Sequence, residues 1–351
     1  MLKYLDAHRI VPARLLLSVS AVSVLLLSVG CSLFGAKRKI QVPVLLTPIV
    51  DADKARLIQE VNRLSTIKSI RGKVDIQFED TSFASYGVAD QYRIVDGTVT
   101  LQRPGQIFLQ IQFAFVDIAQ MTSDGDHFRV AVLKGDDKYK RFLKGTNSAR
   151  YPTLVESEAA HSQNDKQKRE KETVSALSNM RPQHLTDAFM ILPIETPNSL
   201  LYAQTQFFGE EQDKRQQAKK GDRIMRAYYF LDELSQPTSG DAKLQRRFWF
   251  DRVGAIRLAR VQTFDEQGAL ITDVSYYNEK TLGSNATASL PSRIEITRPQ
   301  DKYKLSISYQ DSASVELDRV WPAKAFVLEN KWGLPEVDLD LQYKKMTANQ
   351  K

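Results

Sequence analysis

The sequence is poor in the residues that build metal and catalytic sites. Only one of its 351 residues is a cysteine, so neither an internal disulfide nor a cysteine-based zinc site can form. The histidines beyond the N-terminal segment, His127, His161 and His184, share no metal-ligand spacing. A Gly-x-Ser-x-Gly elbow and a glycine-rich phosphate loop are also absent. We therefore expect no metal, no cofactor and no enzymatic activity.

Positive charge is not concentrated in one part of the sequence either. The net charge is +7, and two of these charges fall in the first 30 residues, which leaves the remainder too weakly basic to indicate nucleic acid as a partner. Hydrophobic residues make up 42% of the chain and charged residues 26%, as in ordinary globular proteins. The composition thus argues against wholesale disorder and against a polytopic membrane protein.

An apolar run occupies residues 15–29, directly after a segment that carries Lys3, Arg9 and Arg14. As a helix, these fifteen residues extend about 22 Å, which is short of the roughly 30 Å hydrocarbon core of a bilayer. A basic start, a short apolar run and a small residue at its end are typical of a secretory signal. We predict a signal peptide over residues 1–30, with a transmembrane anchor as the weaker alternative.

The single cysteine, Cys31, follows this run. Residues 27–31 read Leu-Ser-Val-Gly-Cys and resemble the lipobox of bacterial lipoproteins, although Ser28 stands where that family usually has Leu. The resemblance implies cleavage before Cys31, acylation of its thiol and attachment to a membrane, with residues 31–50 as the lipidated cysteine and tether. The alternative is a coincidental cysteine in a signal peptide or single-pass anchor. Ser32 is not the Asp that retains lipoproteins in the inner membrane of enteric bacteria, which favours the outer membrane, facing the periplasm.

Helical spacing is followed by strand spacing. Asp51 is a candidate N-cap for a helix over residues 52–65, in which Leu57, Ile58, Val61 and Leu64 recur at helical intervals. Period-two alternation then predicts eleven strands, at residues 74–78, 99–101, 107–113, 128–132, 200–208, 224–231, 244–250, 256–264, 270–277, 292–297 and 303–309. Short turns separate most of them, which predicts an antiparallel meander.

The domain organisation follows from this rhythm. Eleven antiparallel strands favour one large curled sheet that is partly closed, and we predict a single domain over residues 51–345. Two charged stretches, residues 156–173 and 209–222, are interpreted as solvated polar inserts. A short helix begins at Pro182, and residues 321–341 are expected to close an edge of the sheet. The fold class is mainly β with a few helices (α+β).

One face of the predicted sheet is apolar. Either its side chains fill the interior, or they line a cavity for acyl chains, which needs a dry apolar wall. The candidate lining residues are Val74, Ile76, Phe78, Val99, Leu101, Leu109, Ile111, Phe113, Phe128, Val130, Phe248, Phe250, Ile294, Ile296, Leu305 and Ile307.

Three motifs resemble a known family. Residues 70–76 read Ile-Arg-Gly-Lys-Val-Asp-Ile, residues 97–107 contain Arg-Pro-Gly between two strands, and residues 121–128 contain Ser-Asp-Gly before the next strand. Together with the lipobox and the first helix, they resemble the LolA/LolB superfamily of periplasmic lipoprotein carriers and acceptors. The resemblance covers residues 51–145, and beyond them only the strand rhythm is similar. It implies an incomplete β-barrel with a helical lid over an apolar cavity for acyl chains.

Two functions are consistent with the sequence. The first is a lipid-anchored, non-enzymatic envelope protein that binds acyl chains of lipids or lipoproteins, in lipoprotein localisation or lipid transport, with a periplasmic carrier protein as a possible partner. Its Cys31 favours an anchored acceptor over a soluble carrier. The second is a structural or interaction lipoprotein of the envelope, with a filled barrel. An envelope hydrolase has no supporting motif.

Overall fold

The computed structural model describes residues 42–81, 90–91, 94–134, 137, 140–149, 181–195, 200–213, 215, 217–235, 240–283 and 289–348. The predicted signal peptide, Cys31 and the insert at residues 156–173 lie outside the described residues. The chain divides into two compact units, Met1–Val44 and Leu45–Lys351, and only three residues of the first are described. The following account concerns the second unit.

The described residues form three α-helices and seventeen strands. The helices are α1 (Lys54–Ser65), α2 (Pro182–Phe189) and α3 (Leu339–Ala348). The strands are β1 (Val44–Leu45), β2 (Ser69–Asp80), β3 (Asp90–Gln91), β4 (Val95–Gln102), β5 (Gln106–Phe113), β6 (Val116–Asp124), β7 (His127–Val132), β8 (Arg141–Thr146), β9 (Leu200–Gln212), β10 (Arg223–Ser235), β11 (Leu244–Asp251), β12 (Arg257–Phe264), β13 (Leu270–Thr281), β14 (Ser289–Arg298), β15 (Tyr303–Tyr309), β16 (Glu316–Leu317) and β17 (Glu336–Asp338).

The sheet runs as one antiparallel series in the order β9-β10-β11-β12-β13-β14-β15-β2-β4-β5-β6-β7-β8. The short strand β17 adds in parallel to β8, as expected for a C-terminal segment that closes an edge. Within the described residues, the two outer strands β9 and β17 do not pair with each other. The predicted fold class, a large antiparallel sheet that does not close into a barrel, is confirmed.

Helix α2 shows how strongly the sheet curls. It contacts β14 on one side and β5 and β6 on the other, although β15, β2 and β4 lie between them in the sheet order. The sheet therefore bends around α2, and its concave face holds the main hydrophobic core. Helix α1 contacts β12 and adds Leu57, Val61 and Leu64 to the same core.

Helix α1 confirms the predicted helix but not its cap. The N-cap is Asp53, whose carboxylate accepts a hydrogen bond from the Arg56 N–H at 2.9 Å. Asp51 was the wrong choice, because its carboxylate is taken by the Arg252 guanidinium and the Tyr229 hydroxyl. The two partners lie 178 and 201 positions away in the sequence, too far for a local pattern to predict.

Two strands of full length were missing from the prediction, β6 and β8. Both lack clean alternation, since β6 is buried at five consecutive positions, from Ala119 to Ser123. The reason is a second, smaller core on the outer side, where Phe142 and Leu328 pack together with Trp332 and Leu334. The C-terminal segment covers this part of the sheet, so both of its faces are buried and the period-two signal disappears.

The charged stretch at residues 209–222 is partly strand. Strand β9 continues through Gln212, which pairs with Arg223 on β10. Cross-strand ion pairs, Arg223 with Glu210 and Arg226 with Glu211, explain why a strand here is so polar. The turn that links the two strands therefore begins only at Asp213.

Candidate functional site

Fourteen of the sixteen predicted lining residues lie together in the main core, and none of these is more than 4% exposed. They are Val74, Ile76, Val99, Leu101, Leu109, Ile111, Phe128, Val130, Phe248, Phe250, Ile294, Ile296, Leu305 and Ile307. Phe78 is partly buried against the same core. Side chains from the helices, among them Leu57, Leu185 and Phe189, fill the space that these residues enclose, so in this structure the concave face is packed.

Phe113 lies elsewhere, at the tip of the β5–β6 hairpin, and is 49% exposed. Its neighbour Phe115 is 99% exposed, and Val116 is 45% exposed. At the base of this tip, the Asp117 carboxylate accepts hydrogen bonds from the side-chain amides of Gln110, Gln112 and Gln120. These bonds hold the pKa of Asp117 below its usual value although partial burial opposes them. The hairpin thus exposes apolar side chains to solvent at its tip, and the hydrogen bonds to Asp117 fix the strands just below the tip.

Helix α2 is the lid of the concave face. Pro182 opens it, and Leu185, Ala188 and Phe189 point into the core while Gln183 and Asp187 are exposed. The hydroxyl of Tyr276 donates to the Ala188 carbonyl at 2.9 Å, and His184 Nδ1 lies 2.8 Å from the Tyr303 hydroxyl. Burial, together with two nearby arginines, lowers the pKa of His184, so this imidazole is neutral at neutral pH.

The chain after α2 is held by two further groups. The Arg103 guanidinium donates to the carbonyls of Met190 and Ile191 at 3.1 and 2.8 Å, and to that of Ile67 at 2.9 Å. The Asn62 side chain of α1 exchanges two hydrogen bonds with the backbone of Ile194, at 2.7 and 3.0 Å. The lid is therefore fixed by a small number of polar contacts in addition to its apolar packing.

The motifs noted in the sequence position Arg103. Its own Arg-Pro-Gly turn and the Ser-Asp-Gly turn lie against each other, because Gln106 pairs with Asp124 in the sheet. Both turns need glycine, with φ of +61° at Gly105 and +110° at Gly125, and a Cβ on Gly125 would lie 3.2 Å from the Pro104 carbonyl oxygen. The motif residues therefore build the rim that carries Arg103.

A cavity of about 740 Å³ lies beside α2, against strands β11 to β14. Ala188 and Ile191 supply apolar wall from the lid, and Val261 and Val274 supply it from the sheet. The rim is polar and is formed by Arg181, His184, Asp187, Arg246 and Arg298. An apolar wall with a charged rim suits an amphiphile better than a fully polar ligand.

The rim charges are not equivalent. Arg246 is paired with Glu233 at 2.6 Å and Arg298 with Asp301 at 2.8 Å, so both guanidinium groups already have carboxylate partners. Asp187 is open to the cavity, yet the surrounding protein raises its pKa to about 6, chiefly through desolvation.

A second cavity, of about 900 Å³, is lined mostly by charged residues. Its arginines are engaged in ion pairs, for example Arg260 with Asp273 and Arg293 with Glu295. These charges neutralise one another, so the charged lining of this cavity has no excess of one sign. The first cavity is the better candidate site.

Sequence reasoning did not select the residues that line the first cavity. Val261 and Val274 follow the same alternation as the predicted lining residues, within the predicted strands 256–264 and 270–277, so a signal for them existed. Arg103 was noted only as part of a motif. Its hydrogen bonds to the segment after α2 join positions 87 and 88 residues apart, which no local pattern predicts.

Comparisons with known proteins give distant likenesses only. No family model and no curated protein matches the sequence. Among solved structures, a LolA superfamily protein from Nitrosomonas europaea is similar with a TM-score of 0.37 and 14% identity, over 79% of this chain and 99% of that one. A DUF1329 family protein from Desulfovibrio piger is similar with a TM-score of 0.38 and 10% identity, over 78% and 95%.

A third structure is an outer membrane lipoprotein-sorting protein domain from Vibrio parahaemolyticus, with a TM-score of 0.33 and 13% identity, over 77% of this chain and 94% of that one. At this distance the likenesses assign neither a family nor a function to the chain. Separately, no helix among the described residues is long and apolar enough to cross a membrane.

Proposed function

We propose that this protein is a non-enzymatic envelope protein that binds acyl chains of lipids or lipoproteins in the cavity beside α2. The observation that carries the proposal is the cavity beside α2, which combines an apolar wall with a charged rim. Its volume of about 740 Å³ falls within the range of roughly 300–1,000 Å³ that is typical of small-molecule sites. An acyl chain placed there gains about 25 cal/mol for each Å² of apolar surface removed from water.

The predicted lining residues are part of this proposal because they lie in the core that α2 covers. The fourteen buried residues of the concave face share one core with apolar side chains of α2 and α1. If a ligand displaced α2, its acyl chain would take the place of the apolar side of the helix. The core residues that α2 leaves exposed would therefore be largely covered again. The cost of opening then lies mainly in the polar contacts of Arg103, Asn62 and Tyr276. We propose that these contacts set how readily the lid opens.

The proposed location follows from the N-terminus. Acylation of Cys31 with two or more acyl chains would hold the protein to a membrane, since a single chain binds only reversibly. Ser32 favours the outer membrane, with the domain facing the periplasm. An anchored acyl-chain binder in this position is suited to lipoprotein localisation or lipid transport, and it would receive its cargo from a periplasmic carrier protein.

One observation favours the second candidate function, an interaction lipoprotein with a filled interior. Large side chains of the concave face, such as Phe248 and Phe250, are fully buried and pack in the same core as the helices. Under this alternative the cavity beside α2 binds no lipid, and the surface of the protein carries its function.

A pair of threonine substitutions tests the acyl-chain site. Thr263 is on the inner face of β12 and lines the cavity, whereas Thr297 is on the outer face of β14 and lines neither cavity. Both are partly buried strand residues. In residues 32–351, we expect Thr263→Phe to weaken binding of a fluorescent fatty acid at least about tenfold, because the ring occupies the ligand's space. Thr297→Phe should bind as the wild type does.

Lipid extraction followed by mass spectrometry provides the direct measurement. Co-purified phospholipid near one molecule per chain is expected for the wild type and for Thr297→Phe, with less for Thr263→Phe. A wild-type protein that carries no lipid and takes up no fatty acid would exclude the acyl-chain site and favour the filled interior.

A further inference from the structure

The two ends of the sheet are finished differently. At one end, β17 covers β8 and is followed by α3, which also contacts β8. At the other end, β9 pairs with β10 along all thirteen of its residues. From Ala203 to Gln212, no described strand pairs with the opposite side of β9. With respect to the described residues, the second end of the sheet therefore presents a long row of unused backbone donors and acceptors.

Strand β9 lacks the features that usually protect such an edge. It contains no lysine, arginine or proline, and its register with β10 has no bulge. Large apolar side chains are exposed along it, with Leu201 at 43%, Phe207 at 38% and Phe208 at 48%. An unprotected, apolar edge strand of this length is a site for pairing with another chain.

An aromatic cluster on the outer face reaches the same edge. Phe207 stacks on Phe230 at a centroid distance of 5.0 Å and meets Trp249 at 5.6 Å. Trp249 in turn contacts Phe230 at 4.4 Å and Tyr228 at 5.6 Å. Aromatic side chains held in this way are preferred anchors of protein interfaces. The cluster ends at the exposed edge of Phe207, where an additional strand would extend it.

We propose that the occupant of this edge is β9 of a second copy of the chain, paired antiparallel about Gln206. Residues 203–209 are the part of the open edge of β9 that precedes the charged Glu210, and Gln206 is the midpoint of this part. In this register Thr205 lies opposite Phe207 of the second copy. The two Phe207 rings become diagonal neighbours, which are within reach of aromatic side chains. The two aromatic clusters then join across the two-fold axis.

Charge selects this arrangement. The acidic residues of β9, Glu210 and Glu211, fall opposite Tyr202 and Leu201 of the second copy, both of which are uncharged. The two Glu210 residues of the dimer therefore lie eight positions apart along the paired strands, which is about 27 Å. Parallel pairing in register would instead place like charges side by side. The antiparallel pair is also closed by a two-fold axis, so it ends at a dimer.

Cysteine substitution tests both the dimer and its register. Residues 32–351 contain the compact unit Leu45–Lys351 and no cysteine, so a single introduced cysteine reports on one position. We expect Gln206→Cys to form an intermolecular disulfide under mild oxidation, because directly opposite Cβ atoms lie about 4.5–5.5 Å apart and a shift of about 1 Å brings them to disulfide distance. Glu210→Cys, the matched control on the same strand, should remain monomeric on non-reducing gels.

Sedimentation velocity measures the same association without a cross-link. The wild type is expected to dimerise, and Thr205→Lys should weaken the dimer at least about tenfold, since the two lysines become diagonal neighbours at an exposed edge. Thr297→Lys, in an interior strand of the same face, should leave the dimer unchanged. A wild type that stays monomeric at about 100 μM, or equal cross-linking at Gln206 and Glu210, would overturn the proposal, and a folded Thr205→Lys variant that dimerises normally would do so too.

Discussion

At the scale of single residues, Phe115 stands out because it is both strained and exposed. Residues 114 and 115 form the two-residue turn of the β5–β6 hairpin, with φ of +47° at Ala114 and +67° at Phe115. Glycine and asparagine are favoured there, and a bulky residue in this region costs about 1–3 kcal/mol. A side chain that is 99% exposed recovers none of this cost within the fold. We therefore expect Phe115 to contact something outside the domain, and a membrane surface suits an apolar hairpin tip.

The prediction is that Phe115→Gly raises the free energy of unfolding by about 1 kcal/mol while weakening association with membranes. Chemical denaturation measures the first effect, and co-sedimentation of residues 32–351 with phosphatidylethanolamine and phosphatidylglycerol vesicles measures the second. Ala114→Gly is the control, because it relieves a similar strain and leaves the aromatic ring in place. Equal vesicle binding by the two variants would show that the ring is not a membrane contact.

At the scale of elements, the proposed access to the concave face depends on the lid α2 and on its latch, the hydrogen bonds from Arg103. Three carbonyls accept hydrogen bonds from Arg103, two of them just after α2, and the guanidinium is desolvated enough to lower its pKa. We expect Arg103→Met to reduce the free energy of unfolding by about 3 kcal/mol, because buried carbonyls lose their donor. Backbone amides of α2 should also exchange hydrogen faster, as measured by mass spectrometry.

Arg71→Met is the matched control for this latch. Arg71 lies on the neighbouring strand β2 and stacks on the Trp321 ring at 4.7 Å, away from α2. It should destabilise the protein without a selective increase in exchange at α2. If both variants accelerate exchange throughout the sheet to the same extent, Arg103 supports the fold in general and is not a latch.

At the scale of the whole molecule, the proposed function depends on the predicted lipid anchor at Cys31, which lies outside the described residues. We predict that Cys31→Ser abolishes incorporation of a radiolabelled fatty acid, because the acceptor thiol is lost. The variant should also no longer be found in the membrane fraction. Ser28→Leu, which makes residues 27–31 more similar to the lipobox, should retain labelling. Undiminished labelling of Cys31→Ser would refute lipidation at this residue, while the acyl-chain site would still be tested by Thr263→Phe.

How far the sequence predicted the fold depends on how many faces of each element are buried. Helix α1 and most strands of the sheet were predicted because each buries one face and leaves the other polar. Strands β6 and β8 were missed because residues 326–334 cover their outer side and remove the alternation. Strand β9 was predicted too short, because its last residues are stabilised by ion pairs with β10 rather than by apolar burial.

The sequence by itself determined the apolar face, since fourteen predicted residues recur at alternate positions and all of them are buried. It also determined the two turns at Gly105 and Gly125, where only glycine tolerates the backbone conformation readily. Only the tertiary structure decided that α2 fills the concave face, that Arg103 holds it and that the open cavity lies beside it. These features depend on contacts between residues about 90 positions or more apart, and such contacts leave no local period in the chain.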